Sequence, residues 1–401
     1  MRKIRMLYLL LFIIFSTFIF SGCWDLREIN ELGLVTAVGI DKGNSPNRYS
    51  VTVQIANPTS QKSSDNKGSQ QGNEVWIGTE EGASLFDAVR KLVNISSRRI
   101  MWAHNNVIII GESMAKEGII PIVDYFTHNP ELRLKTAIVI AKGEAKNYIT
   151  AKVGMESPSG VSFIFLEGYR ALTAESVESH MLEVSTELEN EYGNPLISEV
   201  SLKEATMQSG SEDSKKKSSE TIELSGAALF KKDKMLGWLS PEEARGVSWM
   251  LNETDDTVVT VTDPEYGNKN VAVETMNVRA KIKSEVINGI PHFSVHISGK
   301  GKIVEEDGTT SQSMSEVKEY AEKLVDKKIE DEIKNSMEVV QKKYGVDVLG
   351  FAAIVHAQNK REWDNGLKYK WQEIFPQITV IVSADINIQS SVLHQQPMKI
   401  F

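Results

Sequence analysis

Residues Ser315–Tyr344 read SEVKEYAEKLVDKKIEDEIKNSMEVVQKKY. Val317, Ala321, Leu324, Ile329, Ile333, Met337, Val340 and Tyr344 recur at spacings of 4, 3, 5, 4, 4, 3 and 4, the period of one face of a helix. The other faces are rich in Glu and Lys. A helix with one long apolar stripe needs a surface to bury it on, and the flanking sequence supplies strands. Val278, Ala280, Ile282 and Val286 alternate up to Asn288-Gly289, a tight-turn pair, and Phe293, Val295 and Ile297 alternate away from it. Ile378, Val380, Val382, Ala384, Ile386 and Ile388 alternate again as a closing strand. The fold class that follows is α+β, with a long amphipathic helix in the C-terminal half packed against an antiparallel sheet.

Working outward, Leu224–Phe230 and Leu236–Leu239 read as strands around a turn at 231–234, and Thr257–Thr262 as another strand. Ser240-Pro241-Glu242-Glu243 is a helix start: a cap, Pro at the first helical position, then acids at the positive end of the dipole. Upstream, residues 208–221 (QSGSEDSKKKSSET) contain no apolar side chain and read as a linker. Residues 57–74 are equally polar and read as an exposed loop. Val177, Met181, Val184 and Leu188 predict an amphipathic helix.

The first half alternates strands with helices. Leu32–Ile40 is a continuous apolar run, and Arg48–Ala56 alternates strictly, so the two predict a hairpin. Strands follow at 75–77, 107–110 and 136–141. Helices follow at 85–92, capped by Ser84, at 118–126, with Pro121 in its first turn, and from Glu144. The pattern is a mixed sheet with helices packed on it. The expected organisation is a leader at 1–22, a mixed α/β lobe at 23–207, a polar linker at 208–221 and an α+β lobe at 222–401, the last open to a subdivision that gives three domains.

Arg2, Lys3 and Arg5 precede a 15-residue apolar run, Met6–Phe20, about 22 Å long as a helix against a hydrocarbon core of about 30 Å. Ser21-Gly22-Cys23 ends it. A basic flank, a short apolar core and small residues before Cys form a lipoprotein signal peptide, with Phe20 where Leu is usual. Cleavage before Cys23 leaves 379 residues (401 minus 22) and changes the formal charge from −9 to −12 by removing three cations. Lipid on Cys23, as a thioether-linked diacylglycerol and an amide-linked acyl chain such as palmitate, would fix the chain to a membrane surface, because two chains suffice where one does not.

The acidic balance argues against nucleic acid as a partner. Cys23 is the only cysteine, so with it lipidated no disulfide, zinc–thiolate site or thiol nucleophile is available. No phosphate loop, GxSxG or HExxH motif occurs. His292 and His296 on one strand lie about 13 Å apart, too far for one metal. His104 with Glu112, and His128 with Glu131, are weak acid/base candidates. No catalytic, cofactor-binding or metal-binding residues are assigned, and the chain reads as a binding or scaffolding protein rather than an enzyme.

Cys23-Trp24-Asp25, Glu28-Ile29-Asn30, Leu32 and Gly39-Ile40-Asp41 resemble the mature start of the Ger(x)C family, the C-subunit lipoproteins of spore nutrient germinant receptors. Trp102-Ala103-His104 through Ile109-Ile110-Gly111-Glu112 resembles a further family segment. So does Asp124-Tyr125-Phe126 through Asn129-Pro130-Glu131-Leu132-Arg133, with His128 where the family often has Arg. Gly226–Phe230 and Leu239–Gly246 (LSPEEARG) extend the resemblance into the second half. It implies a mixed α/β fold described as three domains. It also implies a place on the outer face of the spore inner membrane and integral-membrane A and B subunits as partners. The complex would answer to a small nutrient germinant that this subunit need not itself bind. Trp24, Asp25 and Glu28, just after the lipid, are candidates for membrane or partner contact; the alternative is that they only lead into the first strand. The alternative function is a lipid-anchored solute-binding protein feeding a transporter, which calls for two doubly wound parallel sheets around a cleft.

Overall fold

The computed structural model describes residues 31–56, 75–151, 159–205, 219–263, 269–307 and 314–389, with a few positions of the leader (2, 4–6 and 8). The first apolar run becomes β1 (Leu32–Lys42), which pairs antiparallel with β2 (Tyr49–Ala56), and β2 with β3 (Val75–Gly82). Ser84 accepts from the Asp87 N–H and caps α1 (Leu85–Ser96), which returns the chain to β4 (Arg99–Met101), beside the start of β1. β5 (Val107–Gly111) lies parallel to β1, followed by α2 (Glu112–Glu117), α3 (Ile120–Thr127), β6 (Ala137–Ala141) and α4 (Ala145–Thr150). Then come α5 (Ser159–Gly168), α6 (Arg170–Thr173), α7 (Met181–Glu189) and β7 (Leu196–Ala205).

β1, β5, β6 and β7 form the parallel centre of a nine-stranded sheet ordered β3-β2-β1-β5-β6-β7-β8-β9, with β4 beside β1. The antiparallel strands β8 (Ser219–Lys231) and β9 (Lys234–Leu239) complete it. These two strands follow the polar stretch read as a linker, yet they belong to the same sheet as β7. The polar stretch 208–221 stands between two paired strands of one sheet, although its residues 208–218 and the loop 57–74 lie outside the described ones. Pairing with β7 satisfies the β8 backbone, so the break in composition is not a break in the sheet.

The second half opens with α8 (Pro241–Leu251), started as expected by a full capping box, Ser240 with Glu243, a device that stabilises a helix by about 1 kcal/mol. β10 (Val258–Asp263), β11 (Lys269–Ile287) and β12 (Ile290–Glu306) are antiparallel, the last two joined at Asn288-Gly289. α9 (Met314–Met337) continues as a wider π turn over Glu338–Lys343. α10 (Phe351–Gln358) and α11 (Lys368–Ile374) lead to β13 (Thr379–Gln389). β13 runs parallel to β12, so the sheet is antiparallel except at this edge; the intervening helices form the crossover that a parallel partner needs.

The α9 stripe is buried as the spacing requires, with one change. Val325 is fully buried, whereas Leu324 only packs against the core. The steps from 321 to 325 to 329 are even, and the spacing of 5 disappears. The Glu- and Lys-rich flank of α9 has a structural use. Glu322, Asp326 and Glu330 accept from the N–H groups of Ile388, Ile386 and Ala384 at 2.8, 2.8 and 3.4 Å. Carboxylates four residues apart on a helix thus match alternate amides along a strand and cover its open edge. Residues 177–180 correct the expected helical start. Ile138 donates to the Ser179 carbonyl at 2.9 Å and Met181 to that of Thr136 at 3.0 Å. Bonding to β6 holds that segment extended until α7 begins at Met181.

β8 explains how the halves join. Ala228 and Phe230 enter the core on one face of the first sheet, whereas Ala227 and Leu229 enter the core of the second half. α8 lies between the sheets and packs on β8, β11 and α9. Gly246 is where α8 meets α9. A Cβ there would stand 2.3 Å from the Glu332 carbonyl oxygen, closer than packed atoms tolerate. Gly246→Ala is therefore expected to cost about 1–3 kcal/mol through overpacking. It should lower the urea midpoint with an unchanged slope; an unchanged midpoint would show that the two helices can part freely.

Candidate functional site: a charged clasp between the halves

The chain passing from α5 to α7 crosses the sheet near the N-terminal ends of its parallel strands. Its one fully described buried cation is Arg170, 8% exposed at its side chain. Arg170 Nη1 donates to Glu253 Oε2 at 3.1 Å, Nη2 to Glu178 Oε2 at 3.3 Å, and Nε to Glu167 Oε1 at 3.4 Å. Glu253 follows α8, so this guanidinium ties the first half to the second. Glu253 Oε2 also accepts from the Glu178 N–H at 2.6 Å. Thr257 Oγ, one turn beyond, donates to the Ala171 carbonyl at 2.6 Å, and Ser248 Oγ donates to that of Ser176 at 3.2 Å.

His180 extends the cluster. Its Nδ1 lies 3.2 Å from Glu178 and 3.7 Å from Glu183, and its Nε2 3.8 Å from Glu167. One oxygen each from Glu178 and Glu183 and one His180 nitrogen lie within 4.8 Å of one another, a spacing that suits a cation; here Arg170 supplies the positive charge. Four carboxylates thus surround one guanidinium and one imidazole. Burial pushes Glu253 up to about 7 against the pull of Arg170, and burial likewise raises Glu167. With so many acids and one fixed cation, a retained proton relieves the repulsion.

Sequence reasoning missed this cluster because its members are spread over residues 167–253 and their pairing depends on the extended run 177–180. The histidines weighed from sequence go elsewhere. His128 Nδ1 lies 3.2 Å from Asp124 rather than on Glu131. Glu131 instead accepts from Arg99 and from the Trp102 N–H. His104 is exposed, Glu112 pairs with Lys116, and His296 meets Ser383. Cys23, Trp24, Asp25 and Glu28 lie outside the described residues.

A second polar bridge joins the halves where Asn194 accepts from the Lys232 N–H at 3.0 Å and donates to the Asp347 carbonyl at 3.1 Å. Beside it a cavity of about 20 Å³ is lined by Tyr192, Lys232, Asp347, Trp371 and Phe375, room for a water and not for a nutrient molecule. Among the described residues no helix is long and apolar enough to cross a membrane.

The segments singled out from sequence come together as packing. Trp102 stacks edge-on against Phe126, with ring centres 5.3 Å apart, and Glu131 holds the Trp102 backbone. Asp41 accepts from the Ala145 and Lys146 N–H groups at 2.7 and 2.9 Å, at the start of α4. A Cβ on Gly111 would stand 2.0 Å from that carboxylate, so only glycine fits beside it.

The clasp gives stability a particular pH dependence. The folded chain keeps the Glu253 proton up to about pH 7, while an unfolded carboxyl releases it near its model value of 4.5. The folded state therefore binds more protons across this window, and stability falls as pH rises through it, by up to about 3 kcal/mol. Urea unfolding from pH 4.5 to 7.5 should show Glu253→Gln without this component of the decline. Parallel curves for the two proteins would remove Glu253 as its source.

Comparison with known proteins places both halves. Residues 25–202 match the family described as spore germination protein N-terminal domain, and residues 225–392 the one described as spore germination B3/GerAC like, C-terminal. The chain is 26% identical over 408 residues to spore germination protein KC of Bacillus subtilis (strain 168), covering 99% of this chain and 98% of that protein. It is 26% identical over 365 residues to spore germination protein B3 of the same organism, covering 88% and 90%. It is 22% identical over 394 residues to GerQC of Bacillus cereus, covering 95% and 98%. The crystal structure of the GerBC protein shares the fold, with a TM-score of 0.56 and 22% identity over 88% of this chain and 96% of that one. The two matched regions, in order and spanning nearly the whole chain, show that it belongs to the Ger(x)C family of spore germination proteins.

Proposed function

We propose that this chain is the C subunit of a nutrient germinant receptor, held by lipid on Cys23 at the outer face of the spore inner membrane and assembled there with integral-membrane A and B subunits. The observation that carries this reading is the coincidence of a lipoprotein signal ending at Cys23 with a family match that begins at residue 25 and runs to 392. The role is non-catalytic: the chain presents a two-sheet body to its partners, and the germinant need not be bound by this subunit. The shared core and the clasp support a scaffold over the solute-binding alternative, which needs two bodies free to close on a ligand. The second sheet, three antiparallel strands with one parallel edge, also departs from the doubly wound pattern of such proteins.

Spores carrying Cys23→Ala, beside a deletion strain, test this. Dipicolinate release should fall in both strains for at least one nutrient of a panel and stay normal with a trigger that bypasses receptors. In a strain stripped of other receptors, normal release to every nutrient would overturn the reading, and loss of nutrient uptake by the deletion strain would favour the transporter alternative.

A further inference from the structure

α5 and α6 carry an apolar face turned to water. Ile164, Phe165, Tyr169 and Leu172 are 51%, 46%, 64% and 48% exposed, and they recur at i, i+1, i+5 and i+8, one side of a continuous helical path. The charged residues of this path, Glu167 and Arg170, both turn inward to the clasp, so the outer stripe carries no charge. An apolar surface of this kind on a protein chain marks a contact site.

Its place in the fold points to the occupant. A Cβ on Gly160, near the start of α5, would lie 2.4 Å from the Thr36 carbonyl oxygen. At the other end of the path Arg170 meets Glu178, two residues before His180, which bridges to Ala137 at the start of β6. α5 and α6 thus cross the sheet at the end where β1 begins, and β1 begins where the chain arrives from Cys23. Glu31 is eight Cα steps beyond Cys23, a reach of at most about 29 Å. The same end exposes Leu134 and Leu182, with the exposed cations Arg133 and Lys135 flanking Leu134.

We propose that this end of the first sheet rests on the bilayer, with the α5–α6 stripe seated at the lipid headgroup boundary. A lipid surface fits better than a water-facing protein groove. Tyr169 has the ring type favoured at that boundary, the stripe carries no charge to desolvate, and Arg133 and Lys135 stand ready for anionic headgroups. The lipid holds the chain near the membrane, and the stripe orients it there, with the clasp directly behind. The inference rests on the anchor reading.

The test uses the processed chain on vesicles of phosphatidylglycerol and phosphatidylethanolamine, with hydroxyl-radical footprinting by mass spectrometry. The mass of Cys23 reports whether it carries lipid, which judges the anchor reading by itself. A chain with a free Cys23 is coupled through that thiol to a maleimide lipid in the same vesicles, so the face is tested either way. Expected is a several-fold slower oxidation of Phe165, Tyr169 and Leu172 than in the chain freed from vesicles. Phe86, 56% exposed near the opposite end of the strands, should be unaffected. In the double variant Phe165→Asp/Leu172→Asp, Tyr169 should return to its free rate while the chain stays on the vesicles; Phe86→Asp should change nothing. Equal oxidation on and off vesicles overturns the proposal. So does equal protection of Phe86, or protection that needs membranes containing other integral proteins, which would make the occupant a protein.

Discussion

One buried carboxylate, Glu332, fixes how the two sheets stand against each other. Arg245 donates to both of its oxygens, Nε at 3.0 Å and Nη2 by a shorter contact, and the Trp249 indole N–H donates at 2.9 Å. All three side chains sit at the crossing of α8 and α9, where Ser336 also donates to the Glu243 carbonyl. A buried carboxylate without these partners would cost several kcal/mol, so the helices are tied to one relative position. α8 faces β8 on one side and β11 on the other. Its position therefore sets the position of the second sheet against the first.

The clasp at the far end of α8 works differently. Glu332 meets a bidentate guanidinium and an indole, so its charge is well compensated. Glu253 shares Arg170 with Glu178 and Glu167, and its carboxyl is pushed up to about 7. One end of α8 is locked by matched charge, and the other is held by a network with more acids than cations. The second end holds the carboxyl that burial raises, and it sits behind the stripe of α5 and α6.

Much of this was legible in the sequence because it is local. The capping box at Ser240, the Asn288-Gly289 turn and the α9 stripe depend on residues within a few positions of one another. Leu324 and Val325 show the limit of that logic: adjacent apolar residues both fit the period, and packing decides which is central. Val177 fits a helical spacing, yet β6 offers its neighbours backbone partners, so tertiary bonding overrode local preference. In the sequence Glu322, Asp326 and Glu330 are only part of a Glu- and Lys-rich face, because nothing local shows that a strand edge from residues 384–388 will lie beside them. The clasp was hidden for the same reason. Arg170 and His180 are informative only once Glu253 stands beside the one and Glu167 beside both.

The segments that carry the family resemblance serve the packing of the two halves. Gly39-Ile40-Asp41 and Gly111 meet at the start of α4, and Trp102 and Glu131 meet beside Phe126. Leu239–Gly246 supplies the cap, the close approach and the guanidinium that set α8 against α9. Most of these residues are occupied by packing or by bonds to the backbone. In this chain they build a frame: two sheets held against each other by α8. Contacts with a partner are left to the surfaces this frame presents. In this chain the uncharged stripe of α5 and α6 is such a surface, because its charged residues are drawn inward to hold the frame together.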